Sequence, residues 1–202
     1  MILIKKIDSL DDKNIILEKI NNDDLNQICK IYSQTLPSDA LPNFGYDALK
    51  KYFEYVIENK SDIIIAEKEK LYTGFLVLTY NTIDLKKVVS FRGILTFILK
   101  SLLNPLLFIR LIFQIFRKNY KPDFCSFIHA FAVKKEFSSQ GIGRMLINEA
   151  EILTKNKGYK GIFTKTHNEK LFKYYEKEKE INLIKKFKIL NKKYYNFYWN
   201  ID

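Results

Sequence analysis

Apolar residues follow two rhythms along the chain. Leu25, Ile28, Cys29 and Tyr32 recur at three- and four-residue steps up to Pro37, and Leu49, Tyr52, Phe53, Val56 and Ile57 repeat the spacing further on. That period predicts two amphipathic helices joined by a loop over residues 37–43, the first capped by Asn22-Asp23-Asp24. Elsewhere short β-branched and aromatic runs predict strands. Residues 2–7 and 15–20 supply at least one. Residues 63–66 and 72–80 read as an antiparallel hairpin in which Gly74 marks a bulge. A strand over 124–133, another over 161–166, and a final hairpin of 181–190 with 194–201 complete the pattern.

Within this alternation one stretch stands apart, FIHAFAVKKEFSSQGIGRMLINEAEIL over residues 127–153. It predicts a strand, a turn carrying Gly141-Ile142-Gly143, and a helix whose apolar face is Ile142, Leu146, Ile147, Ala150 and Leu153. A glycine turn at a helix start suits an anion, because the first amides point outward and the dipole adds positive charge there. The natural guess is a ligand bearing phosphate; the alternative is a glycine-softened turn that holds no ligand. Leu146 breaks the GxGxxG spacing of dinucleotide sites, and Arg144-Met145 replaces the GK[ST] ending of a P-loop.

The same residues carry a resemblance. AVKKEFSSQGIGRML resembles the acetyl-CoA-binding motif of the GNAT superfamily of acyl-CoA N-acyltransferases: Arg/Gln, two free positions, Gly, one free position, Gly/Ala. Downstream, NEKLFKYYEK over 168–177 is similar to the second family signature, an Asn that opens a helix followed by a Tyr that faces the thioester. Two departures stand in this chain. Ser138 occupies the Arg/Gln position, and Lys179-Glu180 replaces a Gly-Phe pair after the tyrosine.

The resemblance implies an α/β (α+β) fold with a mixed, mostly antiparallel central sheet flanked by helices. It implies acetyl transfer from acetyl-CoA to a primary amine through a direct ternary complex. By the same resemblance Ser138, Ser139, Gln140, Gly141, Ile142, Gly143 and Arg144 wrap the pyrophosphate. The main chain of Phe131, Ala132 and Val133 bonds the pantetheine arm, and Asn168 contacts that arm besides capping its helix. Tyr175 is the implied proton donor to the leaving thiolate, with Tyr174 expected on the buried face. His129 is the implied base, acting through water, since a reference pKa of ~6.5 suits the task. Strand alternation places His129 with Phe127, Phe131 and Val133, so a core histidine bonded to a carbonyl is the competing reading. His167, beside the cap, reads as structural. Tyr46 and Asp47 are acceptor-side candidates by analogy with the family's inter-helix loop.

Composition changes this picture in one place. The chain has 202 residues and a net charge of +11, with the hydrophobic content of a globular protein and the length of one domain. Eight bases and no acid lie within residues 85–122, so the rest is near neutral. In that insertion Ile94, Phe97, Ile98 and Leu102, then Leu107, Leu111, Phe113 and Phe116, predict two amphipathic helices flanking Pro105. It is too interrupted by charge for a ~20-residue membrane span. A lid over the acceptor side, an oligomer (homodimer) interface and a patch on an anionic membrane surface all fit it. Clustered bases repel a polyamine and favour an anionic, bulky or membrane-associated acceptor such as an amino sugar.

Other function classes recede on the same grounds. No nucleic-acid partner is expected, because the bases alternate with Leu and Ile rather than with stacking aromatics. Cys29 and Cys125 show no CxxC or metal-ligand spacing, so reduced buried thiols are expected and no metal. The short apolar run after Met1 lacks the form of a signal peptide, which points to a cytoplasmic protein, peripheral to a membrane if the insertion touches one. A non-catalytic GNAT-like module that binds CoA or a membrane is the alternative to an enzyme.

Overall fold

The computed structural model describes residues 2–7, 21–37, 39–69, 71–81, 83, 88, 90–103, 109, 121–189 and 192–201. The strands are β1 (Ile2–Ile7), β2 (Asp62–Lys68), β3 (Leu71–Thr79), β4 (Cys125–Val133), β5 (Gly161–Thr166), β6 (Ile181–Ile189) and β7 (Lys192–Asn200). They form one sheet in the order β1-β2-β3-β4-β5-β7-β6, antiparallel at every step except β4 with β5. The helices are α1 (Asn22–Thr35), α2 (Ala40–Asn43), α3 (Tyr46–Glu58), α4 (Phe91–Leu103), α5 (Ile142–Asn156) and α6 (Glu169–Glu178). This is the mixed, mostly antiparallel sheet flanked by helices that the resemblance implies.

Period-two alternation sorts the core into two layers. Ile63, Ile65, Phe75 and Val77 face α1 and α3, where Ile28, Tyr32, Tyr52, Phe53 and Val56 meet them. Ile64, Ala66, Leu76 and Leu78 face the other way, against Leu146, Ile147, Ala150 and Leu153 of α5. Because β2 and β3 are covered on both faces, nearly every residue in them is buried. A hydroxyl pair fixes α5 against the sheet: Ser126 and Thr154 are both buried, with their oxygens 2.7 Å apart.

Local chemistry moves several boundaries. Asn21, one residue before the expected cap, closes a capping box with Asp24, its Oδ1 accepting from the Asp24 amide at 2.9 Å while the Asp24 carboxylate accepts from the Asn21 amide at 3.1 Å. The expected 37–43 loop contains the single turn α2, whose end is tied by Asn43 donating to the carbonyls of Pro37 and Asp39. The expected bulge lies one residue from Gly74: Gly74 pairs with Ala66, Tyr72 with Glu67, and Thr73 is left out of the ladder. There β4 comes so close that a Cβ on Gly74 would sit 2.7 Å from the Ala132 carbonyl oxygen. Both cysteines are free and buried, and burial pushes the Cys29 thiol up to about 12 and that of Cys125 to about 11.

Residues 15–20 and the second expected helix of the insertion lie outside the described residues. The first is α4. It leans on α2 through Phe97, which is buried and stacked on Phe44 at 4.8 Å between ring centroids. Ile94 and Ile98, expected on the same buried stripe, are instead exposed together with Leu95 and Leu99. The face that packs is set by the narrow shelf of Phe44 rather than by the full apolar width of the helix.

Candidate active site

Strands β4 and β5 pair only from Cys125 against Gly161 to Ile128 against Thr164, then diverge. At the same point β4 takes in an extra residue. Val77 faces Ala130 and Leu78 faces Ile128, leaving His129 without a partner across the ladder. The bulge reverses the alternation, so that Ile128 lies toward α5 whereas Ala130 and Ala132 lie toward α1 and α3. Phe131 and Val133 therefore pack on the α5 side, and His129 does not share a face with them as simple alternation predicts. It stays with Phe127, the rings in edge contact at 5.3 Å.

Past the bulge β4 still follows β3, and Lys134 donates its amide to the Thr73 carbonyl at 2.8 Å. Alternation then turns the main-chain groups of Phe131 and Val133 to the opposite edge, which β5 has left. A cleft of about 740 Å³ fills the divergence, walled by β4, the end of β5, the loop before α5, the first turn of α5, the face of α6 and the end of α1.

The loop and helix start form the anion-seeking end. Ser139 holds φ +64° and Gly141 φ +79°, both in the left-handed region, which winds the chain tightly into α5. The first backbone bond of that helix runs from the Met145 amide to the Gly141 carbonyl at 3.1 Å. The amides of Ile142, Gly143 and Arg144 thus have no acceptor within the helix. A Cβ on Gly143 would press on Phe131 Cζ at 3.2 Å, so glycine lets the helix start approach β4. Ser138, Ser139, Gly141, Ile142, Gly143 and Arg144 line the cleft as the sequence expects. Gln140 does not; its amide oxygen accepts from Lys68 at 3.0 Å on the outer surface, because the left-handed Ser139 turns it outward.

On α6, Asn168 accepts from the amides of Lys170 and Leu171 at 3.0 and 3.2 Å, the expected cap, and lines the cleft. Tyr174 and Tyr175 both reach the wall, with their expected exposures exchanged. Tyr175 is buried, its ring 5.2 Å from Phe197 and 5.0 Å from Trp199, whereas Tyr174 is half-buried. Strand β7 brings both aromatic partners under residue 175, which places that position of α6 against the sheet. Burial first, then Tyr174 and Glu151, drives the Tyr175 phenol well above its ordinary pKa.

The opposite end gathers groups that lie far apart in sequence. His129 Nδ1 lies 2.7 Å from the Tyr52 hydroxyl rather than on a backbone carbonyl. Burial, aided by the Lys165 charge, pushes the imidazole down to about 3 instead of leaving it near its reference value, so it is neutral at any physiological pH. Tyr52 itself remains a phenol, its pKa raised by burial and by Asp39. With Tyr52 donating, Nε2 carries the proton; with Tyr52 accepting, Nε2 is free to accept, the form a base requires. Asp39 accepts a long 3.4 Å bond from Tyr32, and burial raises its carboxyl against the lowering pull of Lys165, Tyr32 and Lys192. Lys165 is pushed down by surrounding protein and held up by Asp39. By surface area Lys165 is exposed, so water reaching the ammonium screens much of that downward push.

His167 rests against the Tyr194 ring at 5.5 Å at the cleft edge. Tyr46 is exposed and bonds Asn26, and neither it nor Asp47 lines the cleft. In the sequence neither Asp39 nor Lys165 was singled out, and Tyr52 was placed only on the apolar stripe of α3. For Lys165 a signal existed, a charge two residues beyond Phe163 and so on the same face of the GIFTKT strand.

The family model described as the acetyltransferase (GNAT) family matches residues 25–179. No curated protein sequence matches the chain. Among solved structures, the ribosomal-protein-S18-alanine N-acetyltransferase of Escherichia coli superposes with a TM-score of 0.59 at 10% identity, over 100% of this chain and 95% of its own. PH1933 of Pyrococcus horikoshii OT3 gives 0.58 at 16%, covering 100% and 99%. An N-acetyltransferase of Staphylococcus aureus Mu50 gives 0.57 at 14%, covering 100% and 99%. At such identities the structures establish a shared fold, and the family match spans most of the chain, including the diverging strands, the glycine turn and the tyrosine helix. The chain belongs to the acetyltransferase (GNAT) family.

Proposed function

We propose that the protein moves an acetyl group from acetyl-CoA to a primary amine. The observation that carries this reading is the meeting, in one cleft, of a helix start with outward amides, an unpaired β4 edge and a buried tyrosine. The amides of residues 142–144 suit the pyrophosphate, helped by the Ser138 hydroxyl and the Arg144 guanidinium. The free groups of Phe131 and Val133 suit the amide-bearing pantetheine arm, as an added strand would, with Ala132 between them, and Asn168 stands beside its path. A main-chain N–H on that edge also stabilises the carbonyl oxygen as charge builds there.

The transfer forms an N–C bond and breaks a C–S bond. The amine proton leaves past the neutral His129 to water, with Tyr52 holding the ring, and the Tyr175 phenol supplies a proton to sulfur and regains one from water, so that the amine loses one proton and the thiol gains one. The direct test is thiol release from acetyl-CoA in the presence of a panel of primary amines. Release that depends on the amine and yields an N-acetyl product is expected. Binding of acetyl-CoA with no transfer to any amine would leave a non-catalytic CoA-binding module.

A second reading, of place rather than chemistry, is favoured by α4. It exposes Ile94, Leu95, Ile98 and Leu99 within the segment that carries eight bases, although no helix among the described residues is long and apolar enough to cross a membrane. A surface contact of that composition needs anionic lipid. Co-sedimentation with vesicles containing phosphatidylserine is expected, weakening as salt rises and falling when Arg110, Arg117 and Lys118 become Glu. Sedimentation indifferent to lipid charge and to the triple change leaves α4 as a lid.

A further inference from the structure

The end of the cleft remote from the glycine turn holds two opposite charges with no ion-pair partner among the described residues. The carboxylate of Asp39, between α1 and α2, has among the described residues only the long bond from Tyr32, and Lys165, near the end of β5, rests over the Phe127 ring at 5.6 Å. Both line the same cavity as His129. A continuous set of mostly buried side chains joins them behind the cavity wall. Tyr32 touches Asp39 and lies 6.4 Å from the Tyr52 ring, Tyr52 bonds His129, His129 meets Phe127, and Phe127 lies beneath Lys165.

A third group points the same way. Asn196 stands directly opposite Lys165 in the β5–β7 register and hence on the same face of the sheet. It is buried behind the cavity wall, at 7% exposure, and its Oδ1 has no hydrogen-bond partner among the described residues. An unpaired buried oxygen is costly, and this one leaves an acceptor beside Lys165.

We propose that this end binds an amine that also carries an anionic group, its nitrogen toward Asp39 and its carboxylate or phosphate toward Lys165. The inference rests on the acyl-transfer reading of the cleft and names the class of acceptor for it. Opposed charges on the two walls give such a molecule one orientation and give a diamine none, since the second ammonium would meet Lys165. The net charge of +11 acts in the same direction at longer range. A neutral His129 adds no further positive charge beside the amine.

Titration calorimetry of the full chain saturated with CoA reads this without turnover. The probes are β-alanine, O-phosphoethanolamine and 1,4-diaminobutane. At least one zwitterion is expected to bind about tenfold or more tighter than the diamine, as one charge-assisted contact allows. The stronger of the two tells carboxylate from phosphate. Lys165→Glu should invert the order, Lys165→Arg should keep it, and Asp39→Asn should weaken all three. Equal binding of zwitterions and diamine, an order unmoved by Lys165→Glu in a folded variant, or no binding by any probe overturns the proposal. The same preference without acetylation of any amine upholds this binding site and removes the transferase reading alone.

Discussion

Replacing Tyr175 by Phe should lower turnover on the order of 10²–10⁴-fold while leaving acetyl-CoA affinity nearly unchanged, the loss typical of a general acid. The size follows from how little else the substitution disturbs. The ring packs between Tyr174, Phe197 and Trp199 at 1% exposure, and a phenylalanine keeps each of those contacts. What disappears is one hydroxyl at the wall of the cleft.

Burial holds that phenol protonated, so the donor form persists through the alkaline range. With the folded pKa raised, its contribution to stability is fully present below the unfolded value of ~10 and is lost only above it. No alkaline fall in turnover below that pH should trace to Tyr175. Tyr174→Phe, at a half-buried position, serves as the control and should cost a few-fold at most. Turnover of Tyr175→Phe within twofold of the parent at all pH values would remove Tyr175 from the chemistry.

The second large effect is expected at Gly141. Its φ of +79° lies where a β-branched residue is disfavoured by roughly 1–3 kcal/mol, although no atom lies within 4 Å of the position a Cβ would take. Valine there relieves its strain by turning the loop, and the outward amides of α5 lose their common aim. Calorimetry should show acetyl-CoA affinity falling at least a hundredfold for Gly141→Val, with a smaller loss for Gly141→Ala. Unaltered affinity in a variant with the parent's circular dichroism would show that the turn does not hold the cofactor.

Much of the frame was legible because it is local. Helical spacing gave α1, α3 and α5, with the apolar buried face of α5 residue for residue, and β-branched and aromatic runs gave the strands. The glycine turn and the Asn168 cap were readable for the same reason. The acceptor end was not, because it depends on register. Nothing in FIHAFAV says that β3 will skip His129, yet that skip decides which faces Phe131 and Val133 take. Asp39 and Lys165 are joined only through the sheet and the α1–α2 connection. The exchange of Tyr174 and Tyr175 follows from where Phe197 and Trp199 of β7 come to lie, and the outward turn of Gln140 from a left-handed serine. These are pairings between distant segments, which one sequence does not display.

The lone parallel step of the sheet has a polarity of its own. Because β4 and β5 point the same way, α5 must carry the chain back between them, and it begins beside the end where the two strands separate. The strand ends that offer unpaired main chain and the positive pole of the helix dipole therefore face one opening. Had β5 run antiparallel to β4 and followed it through a hairpin, that opening would have met no helix start. The direction of a single strand thus sets the sign of the field at the mouth of the cleft, and with it the preference for an anion, before any side chain is chosen.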